Sequence, residues 1–176
     1  MKDRRGFTLI EIMIVLAIIA IGATIATSNL QLWVYKYNFS GFQREVLSRL
    51  KEAGTLAVSS QRQHRVVIDL DAGTVTLSRG NAGSGSSWPG TSVRNTLTAP
   101  YGVRAASLTP APGVAKTTGT FALILNPSRE VLAQSDPADI STIAAVTQVD
   151  IVLAGKNPGD VATIRVYGWT GKARIQ

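Results

Sequence analysis

Twenty consecutive residues, Phe7 to Ala26, carry a single charge, Glu11. As a helix with a rise of about 1.5 Å per residue, that run spans roughly 30 Å, the hydrocarbon thickness of a bilayer. An ionisable group inside such a run is expensive, so Glu11 needs a partner or a purpose. Lys2, Arg4 and Arg5 lie just before the run. By the positive-inside rule they hold that end in the cytoplasm and put everything after residue 26 on the far side. A signal anchor with an incidental glutamate, or a Sec signal peptide cut near Ala26, would share the basic and apolar regions. Against the second, the run is long for a signal h-region and no A-x-A site follows it.

The helical pattern continues past the run, with no proline before Pro89. Phe39, Phe42, Val46, Leu50, Ala53 and Ala57 recur at spacings of three and four, one face of an amphipathic helix. Arg44, Glu45, Arg49, Lys51 and Glu52 fall largely off that face. A single helix is therefore expected from about Phe7 to Ser59, its second half packing on a sheet. Gly22, Gly41 and Gly54 leave room for curvature or close packing.

From His64 the period changes to that of strands. HRVVIDLDAGTVTLSR reads as a hairpin turning at Asp71-Ala72-Gly73. Asp69, Asp71 and Gly73 fit turn chemistry; a calcium loop would need glutamate where Gly80 stands. Residues 80–92 form a Gly/Ser-rich loop with too little apolar surface to order itself, Trp88 being its one packing anchor or partner contact. Strands are expected near Ser92–Thr98, Gly102–Leu108, Thr120–Leu125, Glu130–Ala133, Val149–Leu153 and Val161–Tyr167, with a short last strand after a turn at Gly168. Thr109–Gly119, with Pro110 and Pro112, reads as a loop. Asp136-Pro137 reads as the start of a short helix, with Asp136 as N-cap. The expected class is α+β: a long N-terminal helix on a mainly antiparallel sheet of seven or eight strands.

At RRGFTLIEIMIVLAIIAI the chain resembles the class III signal of type IV pilins and type II secretion pseudopilins. Basic leader, glycine, phenylalanine, Thr-Leu-Ile-Glu and a long apolar helix coincide. The resemblance implies the pilin fold. It also implies that a prepilin peptidase/methyltransferase cuts between Gly6 and Phe7, that Phe7 becomes N-methylated, and that Glu11 is the assembly carboxylate. The expected divisions are then a leader at 1–6, a transmembrane and assembly helix at 7–30, the amphipathic half at 31–60 and a β-rich domain at 61–176. Cleavage leaves the anchor whole and creates an amine at Phe7, which Glu11 of a neighbouring subunit can neutralise in a filament interior. The strand-rich, cysteine-free remainder is similar to the minor pseudopilin branch (GspH/FimT-like). The implied role is a filament subunit of a type II secretion pseudopilus or type IV pilus. It would sit in a bacterial inner membrane by one span, with its domain in the periplasm and other pilins as partners.

Other chemistry is poorly represented. There is no G-x-S-x-G, no P-loop and no H-E-x-x-H, and His64 is the only histidine. It reads as the residue that opens a strand rather than a catalytic base. With no cysteine, disulfide and thiol–metal chemistry are excluded. The expectation is no enzyme, no cofactor and no metal. Net charge is +7, or +5 once a leader with three basic residues and one acidic is lost. Such a domain attracts anionic partners. Gly171-Lys172-Ala173-Arg174 resembles the basic G-R-x-R motif of FimT-like minor pilins that bind DNA in natural transformation, with lysine in place of the first arginine. That resemblance implies phosphate contact by Lys172, Arg174 and Arg165, weakened by loss of arginine's planar fork. The alternative is a solvated edge strand whose charges discourage pairing.

Overall fold

In the computed structural model, residues 7–88 and 92–176 are described, apart from the side chains of residues 25–29. The chain forms two compact units, residues 1–37 and 38–176. One helix, α1 (Leu9–Ser60), contributes to both. Its N-terminus is set by Thr8, whose Oγ1 accepts from the Glu11 N–H at 3.3 Å. Thr8 and Glu11 thus stand at the N-cap and third-position spacing of a capping box. In the first unit the apolar side chains face outward: Phe7, Leu9, Ile10 and Ile18 are all more than half exposed.

The second unit is the folded core. The face drawn from the sequence is the face it buries: Phe39, Phe42, Val46, Leu50, Ala53 and Ala57 are all 7% exposed or less. Burying each large member of that row stabilises the fold by roughly 1.5–3 kcal/mol.

Among the described residues ten strands follow, all paired antiparallel. The first sheet has the order β3 (Val93–Thr98), β2 (Thr74–Arg79), β1 (His64–Asp69), β5 (Thr120–Leu125), β6 (Val131–Gln134), β7 (Ile143–Ala145). The second has the order β10 (Ala173–Ile175), β9 (Val161–Tyr167), β8 (Gln148–Ala154), β4 (Arg104–Ala111). The seven or eight strands expected are ten among the described residues, in one sheet of six and one of four. Strands β1 and β8 alternate buried and half-buried residues, whereas β5 is buried continuously from Phe121 to Leu125. Gly168 stitches the sheets. Its N–H donates to the Thr147 carbonyl at 2.8 Å and its carbonyl accepts from Val131 at 2.7 Å.

Three local expectations are corrected. β4 runs through Pro110 to Ala111, where a loop was expected; β4 is an edge strand, which tolerates a proline that cannot donate to the ladder. No α-helix starts at Asp136. Its Oδ1 accepts from the Ala138 N–H in a turn, and the N-cap is Asp139, heading a single 3₁₀ turn at Ile140–Thr142. Hydrogen bonds from Ser141 hold the Asp139 carboxyl below the usual carboxylate range. Finally, residues 80–88 are ordered by polar contacts instead of apolar burial. Gln63 accepts from the Ser86 and Gly80 N–H groups, through Oε1 and its carbonyl respectively, and its own N–H donates to Ala82. The half-buried Trp88 packs its ring against Arg65, the guanidinium carbon lying 4.7 Å from the ring centroid.

The β1–β2 hairpin matches its sequence reading. Asp69 Oδ1 accepts from the Asp71 and Ala72 N–H groups, and Gly73 supplies the positive φ of 63° that the turn requires. His64 opens β1 and is fully buried. Its Nδ1 lies 3.2 Å from the Arg62 carbonyl, an acceptor only, so the neutral ring carries its proton there. Nε2 then has no partner among the described residues.

Candidate functional site

Two regions hold the candidate residues. The first is the start of α1. Phe7 precedes the helix and is 80% exposed; Gly6 lies outside the described residues. Glu11 is exposed in the first turn, where the unpaired N–H groups of a helix favour a negative charge. The signal that Thr8 positions this turn was present in the sequence as Thr-x-x-Glu. Farther along, exposed Trp33 stacks on Tyr37 one turn later, ring centroids 5.6 Å apart. Among the described residues no helix is long and apolar enough to cross a membrane.

The second region lies wholly within the second unit. A groove of about 780 Å³ runs between α1 and β10. Lys51, Gly54, Thr55, Val58 and Ser59 line one side, at the spacing of one helix face. Thr170 to Arg174 line the other, and Leu125, Asn126 and Arg129 close one end. Lys172 and Arg174 thus meet two cations distant in sequence, Lys51 and Arg129. All four are exposed. Arg174 also lies 5.4 Å from the Tyr167 ring centroid. No local sequence pattern links Lys51 and Arg129 to the end of the chain, so only the fold reveals this cluster.

Arg165 sits opposite Arg174 in the β9–β10 ladder but does not join the cluster's free charge. Its Nε and Nη2 donate to Asp150 Oδ1 and Oδ2 at 2.7 and 2.8 Å. This bidentate pair raises the arginine's affinity for its proton and already matches its charge. As for metals, no group of three or more His, Asp or Glu ligands comes together among the described residues.

Comparison with known proteins bears on the start of the helix and on the fold. Residues 1–27 match the model of the prokaryotic N-terminal methylation motif. No curated protein matches the chain. Two solved structures of the minor pseudopilin EpsH from the type II secretion system of Vibrio cholerae resemble it in fold. One has a TM-score of 0.54 at 15% identity, covering 78% of this chain and 94% of its own. The other has a TM-score of 0.50 at 17% identity, covering 75% and 88%. The fold is that of a minor pseudopilin. At such identities the likeness concerns architecture alone.

Proposed function

We propose that this protein is a minor pseudopilin or pilin, a structural subunit assembled through its N-terminal helix into a type II secretion pseudopilus or a type IV pilus. The observation that carries this reading is the continuity of the N-terminal methylation motif at residues 1–27 with the helix that forms the core of a pseudopilin fold. In this reading the leader 1–6 is removed by a prepilin peptidase, Phe7 is N-methylated, and the apolar run anchors the subunit in the inner membrane with its domain in the periplasm. Trp33 and Tyr37 fit the position of an interfacial aromatic belt. They follow Phe7 by 26 and 30 residues, about 39–45 Å of helix, near the full thickness of a bilayer with its headgroups.

Glu11 is assigned the intermolecular partner of the Phe7 amine. Its replacement makes the helix more apolar, so insertion should be unimpaired while assembly suffers. The test is Glu11→Ala beside the parent in the native host, read by intact mass and by filament incorporation. The parent should have lost six residues and gained one methyl. The variant should be processed, folded and membrane-bound but poorly incorporated. Recovery of the full leader, or a start near residue 27, would overturn the reading; normal incorporation of the variant would remove the role of Glu11.

DNA capture is the second reading. It is favoured by the convergence of Lys172 and Arg174 with Lys51 and Arg129 in one groove. Arg165, held by Asp150, adds little to it.

A further inference from the structure

We propose that the groove between α1 and β10 docks an extended, acidic segment of a partner polypeptide, which adds as a strand to the open edge of β10. The first observation is the edge itself. The Lys172 carbonyl accepts from the Tyr167 N–H at 2.9 Å, and the Gln176 N–H donates to the Thr163 carbonyl at 2.8 Å. Residues 172 and 176, with Arg174 between them, therefore direct their backbone groups at β9. The alternation of an antiparallel ladder turns those of Ala173 and Ile175 outward. β10 is the last strand of its sheet, so no neighbour in that sheet takes them up. Of the residues that line the groove, Thr170, Gly171 and Lys172 lead into β10 while Ala173 and Arg174 belong to it, so the groove meets the open edge at Ala173.

The second observation is charge. Lys51, Arg129, Lys172 and Arg174 surround the groove, and none is ion-paired among the described residues. Ion pairs there belong to Arg49 with Glu45 and Glu52, and to Arg165 with Asp150. Gly54, Val58 and Leu125 give the groove an apolar floor. A strand added to an open edge takes affinity from main-chain hydrogen bonds and specificity from pockets for alternate side chains. Carboxylates on one set would meet the four cations, and apolar residues on the other would meet the floor. The single sign of charge rejects basic segments. Duplex DNA is a wide rod with its phosphates outside; it has no use for a strand edge or an apolar floor.

Binding is measured by fluorescence anisotropy with the full chain in detergent micelles. The probe is a capped, fluorescein-labelled Glu-Val-Glu-Val-Glu-Val peptide. The comparisons are the same peptide N-methylated at alternate amides, its Lys-Val counterpart, and a short DNA duplex titrated at equal concentration of negative charge. The acidic peptide should bind, its N-methylated form at least tenfold more weakly, and the basic peptide not at all. Lys51→Gln and Lys172→Gln should each weaken binding by up to about fivefold, the worth of an exposed ion pair. N-methylation tests the edge without altering the protein, and Lys51→Gln tests the charge without touching β10. Equal binding of the methylated peptide, tighter binding of the duplex, or no binding at millimolar peptide each overturns the proposal. The filament reading is separate, because Glu11→Ala should assemble poorly yet bind the peptide normally.

Discussion

His64 shows how burial fixes a residue's behaviour. Desolvation pushes its pKa below the usual histidine value, opposed by the Arg62 carbonyl and reinforced by the charges of Arg94 and Arg79, with Glu52 a weaker opposing influence. Protonation would place a second N–H at Nε2, where no acceptor waits. A lowered folded pKa means the unfolded chain binds the proton more tightly. The stability from neutral His64 is therefore complete above the unfolded value of about 6.5 and is lost as pH falls below it toward the folded pKa. Each unit in that window costs up to about 1.4 kcal/mol. The urea midpoint of the full chain should fall between pH 7.5 and 5.5, above the range where carboxylates titrate. In His64→Gln, the chain's only histidine gone, the midpoint should stay nearly flat over that range. A parent midpoint that is equally flat would mean the ring protonates freely in the fold. The sequence marked His64 as opening a strand, but its burial comes with a place between β2 and β5, opposite Arg79 and Leu125, which no local pattern reports.

At the scale of elements, legibility followed the strength of local chemistry. The α1 face, the β1–β2 hairpin, β5 and β9 were readable because period, turn residues and β-branching agreed over six residues or more. β7 has three residues and was missed. Asp136 was read as a cap because Pro137 follows it, yet the chain uses Asp136 to close a turn and caps at Asp139. The division into two sheets was not readable either, since strand order arises from long-range pairing. Gly168 is where that division is held. A Cβ there would lie 1.7 Å from the Val146 carbonyl oxygen, backbone that cannot swing aside. Gly168→Ala should cost at least about 3 kcal/mol, roughly 10 °C or more in melting temperature for a domain of this size. Gly159→Ala, with nothing within 4 Å of the new methyl, is the matched control and should melt close to the parent. Equal melting of the two would show that the sheets can part at Gly168 without penalty.

The whole molecule divides between residues 37 and 38, inside one continuous helix. The exposed apolar residues of the first unit suit lipid or a filament interior, while Phe39 to Ala57 form part of the second unit's core. The sequence made this change legible because the pattern passes from uniformly apolar to one-sided near Phe39. The basic groove had no comparable signature: its cations come from α1, the β5–β6 turn and the β9–β10 end, brought together only by folding. A chain beginning at Lys36 contains all of the second unit and should be soluble, monomeric and cooperative on heating. One beginning at Gln61 lacks the helix, and with it Phe39, Phe42, Val46, Leu50, Ala53 and Ala57. The apolar side chains that this row covers, Leu125 and its neighbours in the core, would then face water over an area typical of aggregating surfaces. It should be insoluble, or recovered only from denaturant and without a sharp melting transition. Size-exclusion chromatography and thermal unfolding of the two chains distinguish the outcomes. Soluble, cooperative behaviour of the chain from Gln61 would mean that the sheets close a core without α1.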